Sequence, residues 1–128
     1  MPLTIGIRTI PHTSQRYDTC GDWYTDGQHF THILVSEMHN WKYELLVALH
    51  ELVEQSLCRD RHITEEAVTA FDQDFEAQRL EGDDSEPGDA PLAPYRREHN
   101  FATNIERQLA HELGIDWVAY EKAIGELG

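Results

Sequence analysis

Cysteine is nearly missing from this chain, with only Cys20 and Cys58 in 128 residues. Two isolated thiols make neither a disulfide framework nor a thiolate zinc site, and a reduced, cytosolic setting is the expectation. Positive charge is also scarce: ten Lys and Arg face 24 Asp and Glu, a formal net charge of −14. Such a field repels phosphate backbones, which argues against nucleic-acid binding by charge. It favours cations and a basic protein partner, including mimicry of nucleic acid to occupy a basic protein. No apolar run approaches the ~20 residues that span a bilayer. The segment from Met1 to Arg8 lacks the basic and apolar regions of a secretory signal, so no membrane role is expected.

What is present suits a globular chain. The hydrophobic fraction is 40% and the charged fraction 27%. Three Trp, five Tyr and four Phe supply large core side chains, against disorder throughout. The length fits a single domain over residues 1–128.

Leu3 to Ile10 alternates apolar and polar residues, the period of a half-buried strand, and Pro11 ends it. A second extended segment passes through Asp22 to Thr25. Asp26-Gly27 is a turn signal, and Phe30 to Val35 reads as another strand. A small antiparallel sheet of two or three strands is expected within about residues 1–38.

Residues 40–126 form a helical region with three or four packed helices. The first runs from about Trp41 to Arg59 with Asn40 as N-cap, the second from about Glu65 to Gln78 with Thr64 as cap. Phe71 and Phe75 share a face of the second. A third spans about Tyr95 to Leu113 and stops at Gly114, and Asp116 caps a short last one from Trp117 to about Ile124. Between them, residues 81–94 hold three Pro, two Gly and five acids. They read as a loop, a passive connector or alternatively a lid. The fold class is α+β.

On a helical wheel, Tyr43, Leu46, Val47, Leu49, Val53 and Leu57 form an apolar arc. His50 and Glu54, four apart, fall inside it, with Glu51 at its edge. A carboxylate in an apolar setting costs several kcal/mol unless it is paired or bound to a cation. His and carboxylate at this spacing hold one metal ion from one helix face. In the third helix, His99 and Glu106 sit seven apart on the face of Ala102, Ile105, Leu109 and Leu113. If the two helices pack antiparallel, four polar groups meet in the core. A metal satisfies them, and so does a buried His-Glu hydrogen-bond network without metal. His12, His29, His32, His39 and His62 fall on loops or beside strands and are not read as ligands. Asp72, Asp74 and Glu76 read as a solvated helix face, since they lack the glycine and spacing of a calcium loop.

The stretch from Ala48 to Glu54, behind a strand region, resembles the His-Glu-x-x-His helix of zincin-like metallopeptidases over roughly residues 28–58. It departs at the last position, where Glu54 stands for the second His. The resemblance implies a zincin-like fold, His50, Glu54 and His99 as ligands of Zn2+ and Glu51 as general base; Glu106, from its inward position, is a supporting or alternative ligand. It implies zinc-dependent, peptidase-like hydrolysis; for a catalytic site, position in the chain offers the loop from Glu81 as a gate and Tyr95 or Arg96, near His99, for an oxyanion. The chain is also similar in style to small proteins of bacterial viruses and prophages. Two other functions fit the residues. Glu51-x-x-Glu54 occurs in magnesium-dependent all-α nucleotide pyrophosphohydrolases, although the strand-rich first third argues against that fold. An acidic interaction or inhibitor protein, keeping a degenerate zincin fold without catalysis, fits the charge.

Overall fold

The alternating first third folds as three short strands, β1 (Ile5–Ile10), β2 (Gly21–Thr25) and β3 (Thr31–Ser36). The helical remainder folds as α1 (Trp41–Asp60), α2 (Glu65–Ala77), α3 (Arg96–Glu112) and α4 (Trp117–Gly125), with 3-10 turns at His12–Ser14 and Pro87–Asp89. This computed structural model describes residues 2–127. The class is α+β.

The sheet is mixed, not antiparallel as expected. Its order is β1-β3-β2, with β2 antiparallel and β1 parallel to β3. The β2–β3 hairpin closes at Asp26, whose side chain accepts from the backbone N–H groups of Gln28 and Phe30. Between β1 and that hairpin the chain crosses over, so β3 returns into the middle of the sheet, parallel to β1. A parallel pair needs a crossover of about a dozen residues; here β2 itself lies within it. The middle position explains why β3 is buried along almost its whole length while β1, at an edge, leaves Ile7 exposed.

The helix ends follow local chemistry. Asn40 Oδ1 accepts from the N–H groups of Lys42 and Tyr43, Thr64 Oγ1 from Ala67, and Asp116 Oδ1 from Ala119. Each satisfies amides that the first helical turn leaves free. Gly114, at φ 68°, ends α3 with paired bonds from Gly114 N–H to His111 O and from Ile115 N–H to Ala110 O.

Helices α1 and α3 pack antiparallel. Lys42 Nζ reaches Leu113 O at one end, and Arg61 Nη1 reaches Glu98 Oε2, at 2.6 Å, at the other. The core lies between α1 and the sheet: Ile33 and Val35 meet Leu46, Val47 and Cys58, and Tyr120 of α4 closes it. Among the described residues no helix is long and apolar enough to cross a membrane.

Candidate metal centre

The antiparallel packing brings His50 and Glu54 of α1 against His99 of α3. All three are buried. His50 Nε2 stands 3.0 Å from Glu54 Oε2 and 3.1 Å from His99 Nδ1, and His99 Nδ1 stands 3.0 Å from Glu54 Oε2. The atoms form a nearly equilateral triangle.

Hydrogen bonding alone leaves this triangle frustrated. A ring nitrogen either donates or accepts, and an ionised carboxylate oxygen only accepts. Three such atoms in mutual contact cannot all pair, so one edge joins like to like. A cation removes the conflict, because all three present lone pairs to it. Tetrahedral zinc with bonds of 2.0–2.2 Å separates its ligand atoms by roughly 3.3–3.6 Å, a few tenths of an ångström beyond the observed edges. The electrostatics point the same way. Burial works against the charge on His50, but hydrogen bonds to Glu106 and Glu54 outweigh it and raise the ring well above its ordinary pKa. His99 is pushed up to about 10, burial again being overcome by the Glu54 and Glu86 carboxylates. For Glu54 burial acts upward, yet the two imidazoles bring it down to about 2. The surrounding carboxylates thus favour a positive charge between them.

Each corner also has an outer partner on its other polar atom. Glu106 Oε1 lies 2.8 Å from His50 Nδ1. Trp23 Nε1–H donates to Glu54 Oε1 at 3.3 Å. Glu86 Oε2 stands 2.9 Å from His99 Nε2, off the axis of an aligned hydrogen bond, so that contact is electrostatic. Two glycines permit this closeness. A Cβ on Gly88 would lie 2.3 Å from His99 Cγ, and one on Gly21 would lie 2.8 Å from Glu51 Cγ and Oε1.

Glu51, one residue on from His50, turns into a cleft of about 760 Å³ that the triangle also faces. It is 9% exposed and makes no hydrogen bond to another described residue. Burial first, and the Glu54 charge second, raise its pKa well above the usual carboxylate range. Both effects favour the protonated carboxyl over the carboxylate.

Several surrounding residues depart from expectation. Asp72 is not on a solvated face. It is buried, accepting hydrogen bonds from Tyr17 and Tyr95, and burial raises its pKa to about 6. The Tyr95 hydroxyl is thereby committed, and Arg96 does not line the cleft, so neither is placed for an oxyanion. The segment 81–94 is no passive connector: it carries Glu86 and Gly88 against His99 and lines the cleft. Nothing in its composition singled out Glu86. Only the Glu-Pro-Gly run hinted at a tight approach. Outside the centre, His12 pairs with Ser36 and Asp18, and His32 pairs with Asp26. His29, His39 and His62 occupy left-handed turn positions. The chain matches no protein-family model, no curated protein and no solved structure.

Proposed function

We propose that this chain is a zincin-like, metal-dependent hydrolase, in which His50, Glu54 and His99 hold one divalent ion and Glu51 is the general base. The observation that carries this reading is the pairing pattern of the triangle: one polar atom of each residue faces its centre while the other meets an outer partner. Carboxylates behind metal-bound histidines recur because they set the tautomer and orient the ring. Glu106 behind His50 and Glu86 behind His99 suit that role. Two imidazoles and one carboxylate are a ligand set of catalytic zinc sites, which keep a fourth position open. Magnesium has less support, since it favours oxygen ligands.

Zinc so held would supply a Lewis acid and bring the pKa of water toward neutrality. The chain's own residues do the rest. With a cation in the triangle offsetting the Glu54 charge, Glu51 would ionise, take the proton of the attacking water and return it to the leaving group. Gly21 lets β2 come within contact of Glu51 and fixes its carboxyl at the cleft wall. Trp23, donating to Glu54 Oε1, holds the remaining oxygen on the triangle.

Metal content by mass spectrometry on untagged protein tests the reading, together with peptide hydrolysis. About one zinc per chain is expected, lost in His50→Ala and His99→Ala. Glu51→Gln should keep the zinc and lose roughly a hundredfold or more in rate. Wild-type protein that takes up no zinc would overturn it.

A further inference from the structure

The cleft in front of the centre is lined by twelve Asp and Glu and a single arginine, Arg79. That arginine is spent: it is paired to Glu76 and donates to the Asp83 and Ser85 carbonyls. Asp22 is neutralised by Arg16 from behind, and Glu54, Glu86 and Glu106 face the imidazoles. Glu65, Glu81 and Asp84 have no Lys, Arg or His partner within 4.0 Å among the described residues, and Asp18 has only His12. These four stand along the walls, contributed by the segment before β2, by α2 and by the loop after α2.

A ring of acids alone is common on a protein of this charge. Here a polar group inside the cleft also lacks a partner. Glu51 is nine-tenths buried and makes no hydrogen bond to another described residue. A buried polar group without a partner costs about 1–3 kcal/mol. A Glu51 carboxyl oxygen accepts in either protonation state, so a donor such as a backbone amide N–H completes it.

We infer that the cleft takes a basic peptide segment, with lysine or arginine side chains on Asp18, Glu65, Glu81 and Asp84 and its backbone passing Glu51. This deepens the hydrolase reading and rests on it for the reaction, though not for the binding. Acids on separate walls call for more than one positive charge on an extended ligand. The volume of about 760 Å³ lies within the range of sites that enclose drug-sized ligands. The same field disfavours nucleotide phosphates that carry no divalent cation. It also steers a basic ligand inward at a salt-dependent rate.

Fluorescence anisotropy tests this with labelled alternating Lys-Ala, Ser-Ala and Glu-Ala peptides, on chelator-treated and zinc-loaded protein. The expected result is Lys-Ala binding at least tenfold more tightly than either other peptide. Its affinity should fall as salt rises toward ~0.15 M. The double variant Glu81→Gln/Asp84→Asn should weaken it several-fold with zinc content unchanged. Equal binding of the three peptides, or a double variant that binds like wild type, overturns the inference. Zinc measured on the same samples separates the two readings. A zinc-loaded chain without charge preference sinks this inference and leaves the hydrolase standing. A chain that takes no zinc but prefers Lys-Ala supports the cleft and sinks the hydrolase.

Discussion

Glu106 offers a direct probe of the centre, because it touches His50 without belonging to the triangle. Its Oε1 is 2.8 Å from His50 Nδ1, and both side chains are buried. With a cation in the triangle, the Nδ1–H must point at Glu106, leaving the Nε2 lone pair for the metal. Glu106→Gln keeps an acceptor at that place and removes the charge, so ring orientation survives and ligand basicity falls. Changes of this kind cost ten- to a hundredfold in metal affinity. We expect about tenfold for Glu106→Gln, or about 1.4 kcal/mol, and about a hundredfold for Glu106→Ala, or about 2.7 kcal/mol. The assay is competition for zinc against a chromophoric chelator at neutral pH, with circular dichroism on the same samples as the check on folding. If both folded variants bind zinc within twofold of wild type, Glu106 does not support a metal-bound His50 and the proposed ligand set is wrong. A loss as complete as that of His50→Ala would make Glu106 a ligand itself.

Gly88→Ala should drive a methyl group into the His99 ring, since the added Cβ lies 2.3 Å from Cγ. Overpacking of this kind costs about 1–3 kcal/mol. A lower Tm and weaker zinc binding are expected, with Gly27→Ala, which meets nothing within 4 Å, as the silent control. Wild-type Tm and zinc affinity in Gly88→Ala would refute the close approach. Asp72 gives a pH test. Its folded pKa, raised to about 6, lies above the ordinary 3.8, so the folded state holds the proton more tightly. Its contribution is full below about pH 4 and is lost as pH rises through 6, by at most about 3 kcal/mol. Urea unfolding of chelator-treated wild type and Asp72→Asn should therefore show wild type losing ground to the variant between pH 4 and 7. A constant difference, or one that grows in favour of wild type, would contradict that burial dominates at Asp72.

The legible parts of the molecule are those set by near neighbours in the chain. Asn40, Thr64 and Asp116 cap the helices where their side chains suggest, because a cap bonds amides two or three residues on. Gly114 ends α3 because its backbone enters the left-handed region without a Cβ penalty. The apolar-face positions of His50, Glu54, His99 and Glu106 follow from the helical period, so the sequence alone places the four on inward faces. The residues missed depend on distant partners. Asp72 sits in an acidic run and looks solvated, but Tyr17 and Tyr95 cover it from 55 and 23 residues away. Glu86 lies in an apparently featureless loop and meets a histidine on a later helix.

The amino-acid order by itself determined an acidic α+β chain and put two imidazoles and two carboxylates on the inward faces of two helices. Periodicity and capping act within a turn or two, so they are written locally. Only the tertiary structure decided that β1 runs parallel to β3, because register across a crossover depends on where the returning strand finds a vacant neighbour. Only the antiparallel seating of α1 on α3 decided which of the inward groups form the triangle and which stand behind it. Contacts of 3 Å are set by how two surfaces mesh, and a sequence period cannot resolve that distance.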